Sequence, residues 1–268
     1  TGEGGGIDNS CSSGDGGGTA TQVAIARKND ETDEDYAFRA SMDLQETVSK
    51  EEAFIIEDYT HNAANDAPAE VMNEMLRTDS DLSDSEVKYV RDFNRLIEAR
   101  GIGGITAYRG MAVNWDDDMT SPAKQFSEAM RTGEPIELMG FTSTSTDPFV
   151  ATTFMDDEYG SVMLKIQVEK GLAVESMSKF QNEHELVLAH AARFRVEKME
   201  ENVHVEMHGK KRPVPRMIHL TQLAGTGRDM RLESFAESAD QASPSVPESS
   251  SNKRSARFVG KMEHIRFT

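Results

Sequence analysis

"GIGGITAYRGM" (residues 101–111) is where the chain changes its period. Ahead of it, apolar residues recur at helical spacing. In "SKEEAFIIEDYTHNAA" they fall at Ala53, Ile56 and Tyr59, with Ser49 as N-cap and Glu52 three residues on, the pattern of a capping box. "DAPAEVMNEMLR" has Pro68 near its start and Val71, Met72, Met75 and Leu76 on one expected face. "LSDSEVKYVRDFNRLIEAR" adds Ser83 as a cap and a stripe of Val87, Val90, Phe93, Leu96 and Ile97. The glycines of "GIGG" (101–104) stop that helix. From "ITAYRGM" onward the period is two, through "IELMGFTSTST", "SVMLKIQVEKG", "HELVLAHAARFRVEKMEE" and "PRMIHLTQL", read as strands of about five to nine residues. Helices come first and strands follow without βαβ alternation. The expected fold class is therefore α+β, with a mostly antiparallel β core.

Composition bounds the function. The 268 residues carry 47 acidic against 29 basic side chains, a formal charge of −18. Phosphate binding needs clustered Lys and Arg, so nucleic acid and anionic membranes are not expected partners. No apolar run approaches the roughly 18 residues of a membrane span. Cys11, the single cysteine, has no internal disulfide partner, which fits a reducing working environment. The Gly/Ser-rich segment 1–35 and the Ser- and charge-rich 226–268 are expected to be disordered, leaving one folded unit over 36–225. The first residue, Thr1, is expected to mark a processed product or an excised fragment.

Three places put polar groups where a buried strand favours apolar ones. In "AYRGM", Arg109 offers a permanently charged fork of five donors that suits a diphosphate, and Gly110 allows close approach to backbone. Alone, this reads more readily as a surface arginine on an edge strand. In "GFTSTSTDPFVATTF", hydroxyls run from Thr142 to Thr146 into a short turn or helix. The plain alternative is a Thr-rich strand ahead of a helix capped by Ser145, Thr146 or Asp147. In "FQNEHELVL" (180–188), Glu183 and Glu185 stand at i and i+2, side by side on one face if the segment is a strand. Two such carboxylates raise each other's pKa, and the apolar run behind them leads straight into the core.

Together and in this order, "YRG", "FTSTS" and "FxxExE" resemble the Arg–Ser-Thr-Ser–Glu class of mono-ADP-ribosyltransferases, which includes clostridial binary toxins, bacterial effectors and phage enzymes. The resemblance covers about residues 48 to 222. It implies an ADP-ribosyltransferase fold, a helical N-terminal part packed on a two-sheet β core with an NAD cleft. It implies further that Arg109 holds the NAD phosphates, that the backbone of Gly110 binds the nicotinamide amide, and that Ser143 hydrogen-bonds the catalytic Glu185. Thr144 and Ser145 brace the strand pair, Phe154 packs on nicotinamide, Phe180 recognises the target, and Glu183 matches the glutamate of arginine-modifying members.

The activity implied is transfer of ADP-ribose from NAD to arginine of a target protein. It is expected from a monomer that needs no metal and acts in a target-cell cytoplasm after secretion or phage delivery, with carriage in a virion in the phage case. An NAD glycohydrolase and an inactive packaged or structural protein are the alternatives. Two positions depart from the family pattern: Ala69 where a tyrosine often precedes the helical asparagine, aligned with Asn73, and Asp157 where a basic residue often follows the aromatic. His204 and His208 in "VHVEMH" alternate with Val203, Val205 and Met207, which reads as the outer face of a strand rather than a metal site. "GKKRPVPR" (209–216) reads as a solvated basic turn.

Overall fold

Eleven residues before the expected edge at 36, the chain is already held in place. In the computed structural model the described residues are 25–60, 68–78, 80–112, 122–155, 161–207 and 209–225. Segments 1–24 and 226–268, where disorder is expected, lie outside them. Tyr36 donates its hydroxyl to the Ile25 carbonyl (2.8 Å), and Arg39 clasps Glu31 with two 2.7 Å bonds. Both residues belong to α1 (Asp33–Thr47), a helix whose sequence shows little apolar periodicity.

Helices α2 (Lys50–Thr60), α3 (Pro68–Thr78) and α4 (Asp84–Arg100) follow. The Ser49–Glu52 and Ser83–Glu86 capping boxes both form, each with reciprocal backbone-to-side-chain bonds. All five residues of the α4 stripe are buried. In α3 the inward face is rotated from the expected one: Met72 and Leu76 are buried, whereas Val71 is 56% exposed. Asn73 takes the inward place, because its Oδ1 accepts the Phe141 N–H at 2.7 Å.

The strands are β1 (Ile105–Met111), β2 (Ile136–Leu138), β3 (Thr142–Ser145), β4 (Val162–Val168), β5 (Leu172–Ala173), β6 (Glu185–Leu188), β7 (Ala192–Met207) and β8 (Lys210–Gln222), with α5 (Pro122–Thr132) and α6 (Pro148–Thr152) inserted among them. They hydrogen-bond in the order β2-β7-β8-β4-β1-β3-β6-β5. All described pairings are antiparallel except β4–β8. The β1–β3 join is a single register pair, Tyr108 with Ser145. The two expected sheets are thus a five-stranded and a three-stranded leaf, continuous only at that pair.

Strand lengths depart from the expectation of five to nine residues. "IELMGFTSTST" divides into β2 and β3 at Gly140, whose φ of 83° brings its backbone against Asn73. "HELVLAHAARF" divides into β6 and β7 at Ala191, φ 58°. No Gly or Pro signals that break, which is fixed instead by buried His190: its N–H donates to Asn94 and its Nδ1 accepts from Gly140. "GKKRPVPR" is mostly strand, since Lys210–Arg216 pair with β7 in a long hairpin.

Two apolar clusters flank the three-stranded leaf. Leu186 and Leu188 of β6 join the core formed with α1, α5 and the five-stranded leaf, while Val187 joins the core under α2–α4. β6 is buried on both faces, which explains its continuous apolar run. Glu185 and Ser143 share the α2–α4 side with Val187, because Ser143 lies opposite Val187 in the ladder and Glu185 is two residues before it.

Candidate active site

The cleft floor is made where the two leaves meet. Arg109 on β1 donates through Nη1 to the Ser143 carbonyl at 2.7 Å, tying the five-stranded leaf to β3. The Ser143 hydroxyl bonds the Glu185 carboxylate and lies 3.0 Å from the Tyr59 hydroxyl of α2. Tyr59 is held by ring contacts to Phe93 and Phe141, with centroids 5.0 and 5.7 Å away. A chain of hydroxyls therefore runs from the aromatic core to the carboxylate. Burial lowers the pKa of Arg109, an effect partly offset by Tyr59 and Glu185; a guanidinium stays charged regardless.

Gly110 has a structural reason of its own. A Cβ there would meet the Ala151 carbonyl oxygen at 1.9 Å, so its missing side chain is what lets α6 lie directly on β1. Asp147 caps α6 by accepting the Phe149 N–H, and Pro148 begins it. That placement brings Val150, Ala151 and Phe154 onto the cleft.

The two glutamates are not neighbours on one strand. Glu183 ends a 3-10 turn (Gln181–Glu183), His184 takes a left-handed conformation (φ 48°, ψ 47°), and only Glu185 belongs to β6. The i, i+2 rule for strands does not apply; the turn brings both carboxylates to the same cleft. Their mutual repulsion is also secondary. Burial is the first cause raising Glu185 to about 7, opposed by the Ser143 hydrogen bond and the Arg109 charge, with the Glu183 charge adding a lesser upward push. Glu183 is raised as well, by burial.

The turn's backbone is fixed at three successive carbonyls. Glu183 O accepts from the Ser145 hydroxyl (2.7 Å), His184 O from the Thr146 N–H (3.1 Å), and Glu185 O from the Val174 N–H (3.1 Å). Thr144 bonds across the same strand pair to the Leu186 carbonyl at 2.7 Å. One cleft is lined by Arg109, Gly110, Ser143, Thr144, Ser145, Phe154, Glu183 and Glu185 together, with Tyr108, Val150 and Ala151 completing it. Phe180 is not in the lining. It opens the 3-10 turn at the rim, 39% exposed.

This arrangement, a part-buried cation on β1 and a part-buried carboxylate on β6 with β3 between them and a second carboxylate at the mouth, can bind an anionic ligand and stabilise positive charge beside it. Comparison with known proteins gives the family. The profile of the ADP-ribosyltransferase exoenzyme family matches residues 34–219. The chain belongs to that family. Its members use NAD as the substrate that supplies ADP-ribose. Among solved structures, the fold is similar to Plx2a, an ADP-ribosyltransferase toxin from Paenibacillus larvae (16% identity, TM-score 0.52, covering 72% of this chain and 98% of that one). It is similar too to C2-I, the enzymatic component of the Clostridium botulinum C2-toxin (18% identity, TM-score 0.52, 73% and 47%). A search among curated proteins returns no significant match.

Three residues of this exoenzyme-family domain escaped the reading of sequence as site residues. Tyr59 appears there only as part of an apolar stripe. Arg77 in α3 lies close enough for its charge to lower the pKa of Arg109. His184 stands between the two glutamates with its side chain turned away to α1. Of the two departures, Ala69 lies in α3 with its side chain outside the described residues, and Asp157 lies outside them altogether. His204 sits on β7 opposite Pro213, and His208 is outside the described residues.

Proposed function

We propose that this chain transfers ADP-ribose from NAD to arginine side chains of a target protein and releases nicotinamide. The observation that carries the reading is the single cleft in which Arg109, Ser143 and Glu185 form the floor and Glu183 stands at the mouth. Arg109 suits the diphosphate, as a guanidinium binds phosphate oxygens through paired N–H donors. Phe154 and the Gly110 backbone flank the place for nicotinamide.

Cleavage of the nicotinamide–ribose bond leaves nicotinamide neutral and builds positive charge on the ribose, as in glycoside cleavage. The Glu185 carboxylate, aimed by Ser143, stabilises that charge where it develops. An arginine guanidinium, with pKa above about 12, is a poor nucleophile until a base takes its proton. Glu183 binds the guanidinium and accepts that proton as the N–C bond forms, a role glutamine could not fill. Phe180 beside it supplies the exposed aromatic that meets the target. The charge of −18 favours encounter with a basic, arginine-bearing surface.

We place the activity in a target-cell cytoplasm and the folded domain at residues 36–225, extended at its start to residue 25 by the contacts of Tyr36 and Arg39. No helix among the described residues is long and apolar enough to cross a membrane. The test is mass spectrometry of host-cell lysate proteins incubated with the chain and NAD. ADP-ribose on arginine is expected; nicotinamide release without any arginine adduct leaves a glycohydrolase and overturns the reading.

A further inference from the structure

The residue between the two glutamates does more than join them. Its imidazole is 24% exposed and faces two carboxylates from two other elements. Nδ1 lies 3.1 Å from Glu175, in the segment after β5, and Nε2 lies 3.5 Å from Glu34 on α1. Nδ1 is buried without an aligned hydrogen bond and faces the Glu175 carboxylate directly. Glu175 is itself 7% exposed, and burial raises its pKa while His184 lowers it. A buried carboxylate calls for a partner, and His184 is the partner that the geometry supplies.

The same helix is tied to the same segment one stretch further on. Ser176 donates its hydroxyl to the Ser41 carbonyl (2.6 Å) and its N–H to the Ser41 hydroxyl (3.2 Å). Glu34 and Ser41 are seven residues apart and so share a face of α1. Helix α1 is thereby fastened along the segment that leads into the acceptor turn, with His184 as the fastening at the turn itself. Left-handed backbone is uncommon for a residue other than glycine and persists only where its surroundings hold it.

We propose that His184 is a positioning residue that sets how much ADP-ribose goes to arginine and how much to water. This rests on the functional reading above. Glu185 is secured independently, by the β6 ladder and by Ser143. Glu183 has only the turn to place its side chain, so loosening the turn moves Glu183 and leaves Glu185 where it is. Cleavage of the nicotinamide–ribose bond continues, and water in place of the misplaced guanidinium bonds to the ribose carbon that nicotinamide leaves.

The experiment measures nicotinamide release and arginine adducts together, in the full chain with NAD, using lysate proteins and a short arginine peptide as acceptors. His184→Asn is the informative variant, because asparagine tolerates left-handed backbone and removes only the imidazole bridge. It is expected to keep NAD cleavage within about twofold while the ratio of transfer to hydrolysis falls about tenfold, the order of loss that misplacement of a reacting group produces. Glu34→Gln, a change on a partly exposed α1 side chain that preserves the fold, is expected to lower the same ratio about threefold. An unchanged ratio in both variants overturns the proposal. So does a parallel fall of both activities in soluble, folded Glu34→Gln, which marks a merely structural contact. A wild-type chain that cleaves NAD and modifies no arginine refutes the functional reading itself, an outcome visible before any variant is compared.

Discussion

The floor of the cleft and its rim hold carboxylates by different means. Glu185 begins a strand buried on both faces, lies opposite Ser145 in the ladder, and takes a hydrogen bond from Ser143, which Tyr59 supports from the aromatic core. Glu183, two residues earlier, ends a 3-10 turn whose place depends on three backbone carbonyl bonds and on His184. Chemistry that every acceptor shares belongs on the rigid floor. Choice of acceptor belongs on the rim, where a side chain can be exchanged without disturbing the strands.

The sharpest way to break this division is at the floor. Glu185→Gln keeps the shape and removes the charge; NAD cleavage is expected to fall about a thousandfold or more, as when a group stabilising transition-state charge is lost. Circular dichroism should show the fold retained. Activity surviving at wild-type level would move the charge-stabilising role to the rim.

The second effect is on pH. Burial raises Glu185 from 4.5 to about 7, so the folded chain binds this proton more tightly than the unfolded chain. The stability that follows is fully present below about pH 4.5 and is lost as pH rises through about 7, amounting to roughly 3 kcal/mol at most. Thermal melts should therefore show Glu185→Gln gaining on the wild type between pH 5 and pH 8. In the wild type, kcat/KM for NAD should climb with pH and level off above about 7, because the ionised form is the active one. A flat profile would separate Glu185 from the chemistry.

The smallest effect lies behind the floor. Tyr59→Phe removes the hydroxyl 3.0 Å from Ser143 and leaves the ring packed on Phe93 and Phe141. NAD cleavage should fall about fivefold, the worth of one hydrogen bond of about 1 kcal/mol, with transfer and hydrolysis lowered equally. An unequal change would show that the support from α2 reaches the rim as well.

Legibility in the sequence followed the same line. The floor residues are polar breaks in strong strand patterns, and Arg109, Ser143 and Glu185 stand out for that reason. The α4 stripe and both capping boxes are local features, set by residues three and four apart. What stayed hidden depends on long-range contact. Helix α1 carries buried Tyr36, Ala37, Ala40 and Leu44 among acidic residues and follows a Gly/Ser segment, so its pattern is faint. The left-handed His184 and Ala191 have no glycine to announce them and are imposed by tertiary bonds. Val71 looks like core and is exposed because Asn73 is needed inward to bond Phe141. The rim, a short turn without periodicity, was the part of the site that strand logic described wrongly.

The central claim is that floor and rim divide the reaction between NAD and arginine. Glu183→Gln tests it most directly, in lysate with NAD, with nicotinamide release and ADP-ribosylated residues measured in the same samples as the wild type. The expected result is loss of arginine adducts by about a hundredfold or more while nicotinamide release stays within a few-fold, since only the base for the acceptor is gone. Arginine adducts persisting in Glu183→Gln, or both activities vanishing together, would contradict it.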